Sequence, residues 1–264
     1  MSDQQAYWDN NLDPQNLSGK APCNLEQELS FARSPEQDEA DRLLGDVRGR
    51  RVLELGCGLG VNALMLARRG AKVVAIDLAY ARLHEAAQLM QKEKTEGEIF
   101  LVQASADALP FKDEVFDGAF SKAVLIHTKL ESVAPEISRA LAEGGAGVFI
   151  EPLQRNPFVR LYRHTLAPKI WREIARYFGP EETAALSKQF PELTWRDFHL
   201  FGFLAYCFQF GIRAPLLFRL SVKVLSAIDR VLFACCPPLR GLAWMRVFHA
   251  QKMARRPDKP SAER

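Results

Sequence analysis

A chain of 264 residues is long enough for one large domain, or for one domain with a sizeable insertion. Its hydrophobic content of 48% supports a real core, and a charged fraction of 25% is ordinary for a globular protein. Five cysteines are too few and too irregularly spaced for a disulfide framework, and their spacing matches no zinc site. We therefore expect no metal ion in the functional site of this protein.

The net charge is only +3, but it is unevenly distributed along the chain. Residues 1–151 contain 16 Lys and Arg against 24 Asp and Glu, whereas residues 152–264 contain 19 against 8. A basic second part indicates an anionic substrate, an acidic membrane surface or nucleic acid as a partner. A solvated basic face with no partner explains the same composition, and the sequence leaves the two interpretations open.

The first 33 residues are expected to form an N-terminal arm. The segment is polar and acidic with no apolar signal core, which favours a cytoplasmic protein. Tyr7 and Trp8 stand alone among polar residues, and they either pin the arm to the core or contact a substrate. Ser34 followed by Pro35 is typical of a helix start, and the helix is predicted to run to Leu44.

A glycine-rich turn follows the first predicted strand. Val52 to Leu55 has the composition of a buried strand, and Gly56, Gly58 and Gly60 break it before a helix over 61–69. Strand, glycine turn and helix form the first unit of an open α/β sheet, whose ligand lies at the carboxyl end of the strand. The helix N-terminus then offers unpaired N–H groups to a negatively charged ligand group.

Further strands and helices alternate up to residue 151. The predicted strands cover 73–76, 99–102, 115–120 and 146–150, and the predicted helices cover 80–94 and 131–142. Asp77 ends the second strand 21 residues after Gly56, a spacing that places its carboxylate near the ribose of a bound nucleoside. Asp77 can instead cap the following helix, although the ribose role is the preferred interpretation.

Beyond residue 152 the pattern changes to Arg-, Pro- and aromatic-rich segments that predict a helical or irregular cover. The apolar run 198–210 is assigned as a sixth strand, and 243–251 as the seventh strand. The longest uncharged stretch, 198–212, is shorter than the roughly 18–20 residues that span a bilayer. The tail 253–264 is basic and expected to be disordered.

Residues 215–235 predict an amphipathic helix with a basic stripe. Its apolar face comprises Leu217, Leu220, Val224, Ile228 and Val231. A helix of this kind either lies on a membrane surface or packs on its own protein, and packing on its own protein is the preferred interpretation.

The ordered motifs resemble those of the class I S-adenosylmethionine-dependent methyltransferases. The dinucleotide-binding fingerprint requires a glycine at the sixth position of the loop, where this chain has Val61. The loop also lacks the Gly-Lys-Ser/Thr that ends a Walker-type phosphate-binding loop. The resemblance rests on Glu54 with the three glycines, on Asp77, and on the segments 104–111, 116–120 and 141–145. Together these motifs cover residues 50–151 and are most similar to the quinone- and small-molecule-methylating branch.

The resemblance implies a Rossmann-like α/β fold with a mostly parallel seven-stranded sheet, helices on both faces and a mainly helical C-terminal cover. In such a chain residues 34–152 form the cofactor-binding core, 153–240 form the substrate-covering insertion, and 241–252 add the final strand. S-adenosyl-L-methionine is the implied cofactor. The residues implied to hold it are Glu54, Gly56, Gly58, Asp77, Ser105, Ala106 and Ser121. The family commonly has an acidic residue where this chain has Ser105, so that Asp107 is an alternative contact for the adenine.

Two residues are candidates for the base that removes a proton from the acceptor. His127 follows the fourth strand, in the loop that faces the substrate in this fold, and its ordinary pKa suits proton abstraction. Glu151 ends the fifth strand and points to the same cleft by topology. His127 can equally pack on or cap the next helix, and an acidic acceptor needs no strong base.

The predicted function is transfer of a methyl group by in-line displacement to a small, lipophilic or aromatic acceptor that can also be anionic. Nucleic acid is not expected as a partner, because the arginines are mixed into apolar helices. Peripheral contact with the inner membrane surface through 215–235 is the second prediction for this region. The alternatives are a non-catalytic scaffold of the same fold that binds a nucleoside or membrane and, less favoured, an NAD-dependent oxidoreductase.

Overall fold

A computed structural model describes residues 5–6, 25–91, 93–165 and 175–253. The predictions for Tyr7, Trp8 and residues 254–264 lie outside this part of the chain. Seven strands form one sheet: β1 (Arg51–Leu55), β2 (Lys72–Asp77), β3 (Glu98–Gln103), β4 (Phe116–Lys122), β5 (Leu141–Pro152), β6 (Thr194–Phe198) and β7 (Met245–Gln251). The α-helices with bounds inside the described ranges are α1 (Leu25–Ala32), α2 (Pro35–Leu44), α3 (Val61–Arg68), α4 (Tyr80–Met90), α5 (Leu130–Ala140), α6 (Pro157–Thr165), α7 (Pro180–Gln189), α8 (Cys207–Phe210) and α9 (Pro215–Cys235).

The strand order is β3-β2-β1-β4-β5-β7-β6. Strands β1 to β5 run parallel, whereas β7 is antiparallel to both β5 and β6. The predicted seven-stranded, mostly parallel fold is therefore confirmed. The order reverses between β1 and β4, so the carboxyl ends of these two strands flank a crevice in which α/β sheets bind their ligands.

Helices cover both faces of the sheet and produce two separate apolar clusters. Leu53 and Phe149 belong to one cluster, whereas Val52 and Val148 belong to the other. Neighbouring strand residues point to opposite faces, so a strand that is covered on both sides is apolar at nearly every position. This explains why β1 and β2 are recognisable in the sequence as mostly aliphatic runs.

The prediction of a sixth strand over 198–210 is wrong. Strand β6 ends at Phe198, and the apolar run forms a 3₁₀ turn (Gly202–Tyr206) followed by α8. The first four residues of β6 are polar or exposed, as is typical of an edge strand. A search for apolar runs therefore does not find this strand. An ion pair from Arg246 Nε to Asp197 Oδ1 of 2.6 Å holds the strand against β7.

Helix α9 has the predicted bounds, but the predicted apolar face does not pack on the protein. Phe218, Val222 and Phe233 are buried in the cover. Of the predicted face, Leu220, Val224 and Val231 are 55%, 60% and 62% exposed. The helix carries two adjacent apolar stripes, and tertiary contacts select the one that contains the larger Phe218.

A buried carboxylate helps to select that stripe. Asp229 is on the same side as Phe218 and accepts hydrogen bonds from the backbone N–H groups of Phe201 (2.8 Å) and Gly202 (2.9 Å). Those N–H groups begin the 3₁₀ turn and would otherwise lose their partners on burial. None of the described helices has the length and apolar character needed to cross a membrane.

Candidate functional site

A large cavity lies at the carboxyl ends of β1, β2 and β4. Its volume is about 1230 Å³. Most ligand pockets measure about 300–1,000 Å³, so this cavity has room for more than one small molecule. Gly56, Asp77 and Ser105 line it on the side of the sheet, whereas α6, the 3₁₀ turn and α9 supply mainly apolar and aromatic walls.

The glycine turn brings backbone to the cavity without side chains. Gly56, Gly58 and Gly60 have φ angles of 60°, 53° and 76°, in the left-handed region where other residues are strained. A Cβ at Gly56 would lie 2.6 Å from Val124 Cγ2. Gly56 itself lines the cavity, whereas Gly58 lies just behind it and donates its N–H to Asp77 Oδ2 at 2.8 Å.

Asp77 presents a carboxylate at the end of β2. Its exposed fraction is only 7%, and it lines the cavity. Besides the bond from Gly58, its Oδ1 accepts the N–H of Ala79 at 2.9 Å; Ala79, and not Asp77, occupies the N-cap position of α4. A carboxylate has about four acceptor sites, so two hydroxyl groups of a ligand can still be accommodated. The geometry of Asp77 is therefore compatible with the predicted ribose role, whereas the prediction that it caps the following helix is wrong.

The turn after β3 supplies polar groups to the same side of the cavity. Ser105, Ala106 and Asp107 all line the cavity. The hydroxyl of Ser105 donates to Asp107 Oδ2 and accepts the N–H of Asp107, both at 3.3 Å. Ser105 and Asp107, the two alternative contacts for an adenine amine, are thus close together and hydrogen-bonded to each other.

Besides Gly58, two other residues implied to hold the cofactor are not among those that line the cavity. Glu54 is 1% exposed, and its burial raises its pKa to about 8, so that the carboxyl group is protonated at neutral pH. Ser121 is fully buried and donates to Glu151 Oε1 at 3.4 Å. Their positions do not support direct cofactor contact.

Glu151 is also absent from the cavity wall and instead supports the loop after β4. Its Oε1 accepts the N–H groups of Val124 (3.2 Å) and Leu125 (3.0 Å), and Oε2 accepts that of Ile126 (3.4 Å). Burial raises its pKa to about 7. The geometry assigns Glu151 to positioning this loop, and its predicted role as a base is not supported.

His127 ends the loop that Glu151 supports, and it does line the cavity. Burial, together with the nearby positive charge of Arg82, lowers the pKa of His127 to about 4. Its imidazole is therefore neutral at pH 7 and can accept a proton. Of the two predicted bases, only His127 faces the cavity.

A buried polar cluster that the sequence did not indicate adjoins the cavity. Glu36 of α2 is fully buried and accepts hydrogen bonds from Lys122 Nζ (3.2 Å) and the Tyr206 hydroxyl (2.7 Å). His199 Nε2 lies 2.8 Å from its other oxygen. Burial alone would raise the pKa of Glu36, but the charges of Lys122 and His199 hold it well below its usual value.

Lys122 and Tyr206 of this cluster line the cavity, so the ionised carboxylate of Glu36 orients two polar groups there. Ser34 and Pro35 marked the start of α2 in the sequence. No motif indicated that Glu36, the residue after Pro35, would accept hydrogen bonds from Lys122 and Tyr206, which are 86 and 170 positions away in the sequence.

Residues 53–149 match the model of a family described as a methyltransferase domain. A ubiquinone biosynthesis O-methyltransferase of Alkalilimnicola ehrlichii is 33% identical over 153 residues, which are 55% of this chain and 61% of that protein. A sarcosine/dimethylglycine N-methyltransferase of Halorhodospira halochloris is 31% identical over 143 residues, 50% of this chain and 51% of that protein. The chain thus spans about half to three fifths of the length of these relatives.

Solved structures share the fold over nearly the whole chain. The [4+2]-cyclase SpnF has a TM-score of 0.61 at 18% identity and covers 96% of both chains. A geranyl diphosphate C-methyltransferase from Streptomyces coelicolor A3(2) has a TM-score of 0.61 at 16% identity and covers 94% of this chain and 96% of that chain. Likeness at this identity concerns the fold alone, and the presence of a cyclase among these structures illustrates that one fold serves different reactions.

Proposed function

We propose that this chain, which belongs to the class I S-adenosylmethionine-dependent methyltransferases, transfers a methyl group from S-adenosylmethionine to a small acceptor bound in the cavity. The observation that carries the proposal is the joint position of Gly56, Asp77 and Ser105 on the side of the sheet in a cavity with room for more than one small molecule. The matched domain, residues 53–149, contains all three residues.

The chain's own residues have limited tasks in such a reaction. When bound, S-adenosylmethionine supplies an activated methyl group, which leaves positioning and proton removal to the protein. Asp77 would accept hydrogen bonds from the ribose hydroxyls, and Ser105 with Asp107 would meet the adenine edge. The neutral imidazole of His127 is available to receive the acceptor's proton.

The acceptor is proposed to have a lipophilic or aromatic body. Phe158, Phe203, Phe208 and Phe210 line the part of the cavity formed by the cover. Apolar walls bind an apolar body by removing both surfaces from water. His127 lines the same cavity, where it can serve an oxygen, nitrogen or sulfur nucleophile.

Calorimetric titration with S-adenosylmethionine, S-adenosylhomocysteine and NAD tests the cofactor. Micromolar binding of both adenosyl ligands without NAD binding is the expected result. Binding of NAD alone would favour an oxidoreductase, and silence from all three would favour the non-catalytic scaffold. Transfer of radiolabelled methyl from bound S-adenosylmethionine to a lipophilic phenol would then separate an enzyme from a binding protein.

We also propose that the exposed stripe of α9 contacts an anionic membrane surface from the cytoplasmic side. Leu217 is 45% exposed, and Leu220, Val224 and Val231 are more exposed still. The charged residues exposed on α9 are all cations, namely Arg219, Lys223 and Arg230. An exposed apolar stripe beside cations is typical of interfacial helices on acidic lipids.

The cavity wall and the exposed stripe share residues, which supports a connection between them. Leu220 and Val224 line the cavity and are also more than half exposed. An acceptor dissolved in a bilayer would therefore reach the cavity along α9 without crossing water.

Sedimentation with vesicles tests the membrane contact. Binding to vesicles of phosphatidylcholine with phosphatidylglycerol, but not to phosphatidylcholine alone, is expected. The double change Leu217→Ser with Val231→Ser should weaken it strongly, because it removes apolar area from the interface. Phe100→Ser is the matched control, since Phe100 is 50% exposed on β3 at the far edge of the sheet. Equal loss in both variants, or no binding by the wild type, would contradict the proposal.

A further inference from the structure

We propose that Arg163 forms an anion-binding subsite for the acceptor, which would carry a carboxylate or phosphate on its lipophilic body. The inference rests on the proposed function and adds the chemical class of the acceptor. It concerns the cavity wall formed by α6, away from the glycine turn and Asp77.

Arg163 is a buried cation on the cavity wall. It is 8% exposed and lines the cavity together with Tyr162 and Tyr177. Its Nη1 donates to the carbonyl oxygen of Leu153 at 2.8 Å, and its Cζ lies 3.3 Å from the centroid of the Tyr177 ring. Burial lowers the pKa of Arg163 to about 10, so it remains charged at neutral pH.

No carboxylate pairs with Arg163 in the part of the chain that the structure describes. Other partly buried cations have such a partner: Arg246 pairs with Asp197, and Arg213 with Glu28. A guanidinium has five N–H donors in a planar fork, and the bond to Leu153 employs Nη1. A buried cation is unfavourable unless an opposite charge or several acceptors meet it. A carboxylate or phosphate supplies both, and it matches the planar fork.

The charges around the cavity favour the same ligand. Two described carboxylates line the cavity, Asp77 and Asp107, and both lie at the strand ends assigned to the cofactor. Lys122, another lining cation, is already paired with Glu36 at 3.2 Å. The positive charge of Arg163 therefore lies on the cavity wall without a described carboxylate partner, and the aromatic side chain of Phe158 lines the same cavity.

Arg163 also has a purely structural interpretation, which makes a different prediction. Its bond to Leu153 and its contact with Tyr177 join α6 to the end of β5 and to the segment before α7. If this joining were its only role, removing the charge would lower stability but would affect anionic and neutral ligands equally.

The test compares octanoate, octyl phosphate and 1-octanol, which share one chain and differ in the head group. Each is titrated calorimetrically into the wild type saturated with S-adenosylhomocysteine. At least about ten-fold tighter binding of one or both anions than of octanol is expected, the range measured for hydrogen bonds to charged groups. Preference for octanoate or for octyl phosphate identifies the head group. Equal binding of all three would overturn the proposal.

Matched variants connect the preference to this side chain. Arg163→Gln should abolish it, and Arg163→Lys should reduce it several-fold, because an ammonium lacks the planar fork. Arg160→Gln removes the same charge from an exposed position on α6 and should leave the preference intact. A preference that persists in Arg163→Gln would refute the subsite. If Arg163→Gln does not fold, an undiminished preference in Arg163→Lys would refute it instead.

The affinity for S-adenosylhomocysteine separates this proposal from the proposed function. It should be unchanged in all three variants, since Arg163 belongs to α6 and is bonded next to the end of β5, whereas Asp77 ends β2. If the wild type binds no S-adenosylhomocysteine, the proposed function fails, and the same head-group comparison without it still decides the role of Arg163.

Discussion

Replacement of Asp77 by Asn should weaken cofactor binding by a factor of about 100 or more. The change keeps the size of the side chain but removes its charge. In the proposed complex the carboxylate accepts two ribose hydroxyls, and each charge-assisted hydrogen bond contributes about 1.5–3 kcal/mol. Loss of about 3 kcal/mol already corresponds to more than a hundred-fold change in the dissociation constant.

Asp77 also supports the fold, so the assay must separate binding from stability. Its two oxygens accept the N–H groups of Gly58 at 2.8 Å and Ala79 at 2.9 Å. An Asn amide oxygen can satisfy one of these donors, and the donor left without an acceptor costs about 1–3 kcal/mol of unfolding free energy. Urea denaturation measures this cost, and calorimetric titration of the folded variant with S-adenosylhomocysteine measures binding.

The matched control is Asp113→Asn. The side chain of Asp113 is 73% exposed and pairs with Arg139 away from the cavity, so that cofactor affinity should not change. A folded Asp77→Asn variant that binds S-adenosylhomocysteine within a factor of about three of the wild type, well short of the effect expected for lost charged hydrogen bonds, would refute the ribose role.

Three further substitutions test the buried ionisable groups. Glu36→Gln should cost about 3–5 kcal/mol of unfolding free energy at pH 7 in urea denaturation, because it leaves buried His199 and half-buried Lys122 without their counter-charge. The folded pKa of Glu36 lies below its ordinary value of 4.5, so this difference should shrink as the pH falls below about 4.5, and a constant difference would contradict the ion pairing. The pH dependence of stability expected from Glu54 has the opposite sign. Its folded pKa of about 8 exceeds the ordinary value of 4.5, so the wild type should lose stability as the pH rises between these two values. Glu54→Gln should lack that part of the slope, and identical slopes would show that Glu54 is ionised in the fold. His127→Gln should lower kcat about 100-fold or more with unchanged affinity for S-adenosylhomocysteine, and wild-type kcat should persist down to about pH 5 because the imidazole is neutral above about pH 4. Full activity of this variant would exclude His127 as the base.

The core strands were predictable because their signal is local. Strand β1 is buried at four of its five positions, and three of these four are aliphatic, so it appears as a mostly aliphatic run before the glycine turn. Gly56 and Asp77 were predicted at the cavity because parallel strands align their carboxyl ends, a consequence of topology that needs no side-chain detail. Strand β6 was not predicted from the sequence, because it is an edge strand with polar, exposed residues and no apolar run.

Side-chain roles that depend on contacts between distant segments were not predictable. Glu151 was expected at the cavity from its place at the end of β5, yet its carboxylate turns to three backbone N–H groups of the loop after β4. Glu36 had no motif of its own, since its partners come from β4, the residue after β6 and the 3₁₀ turn.

The sequence by itself determined the sheet, the glycine turn and the resemblance to the methyltransferases, and it placed Gly56 and Asp77 at the cavity. Tertiary structure decided which stripe of α9 is buried, which predicted base faces the cavity, and that Arg163 is a buried cation on its wall. The physical reason is the range of the interactions. Periodicity and turn geometry are set by neighbours along the chain, whereas the partners of a buried charge come from segments that only folding brings together.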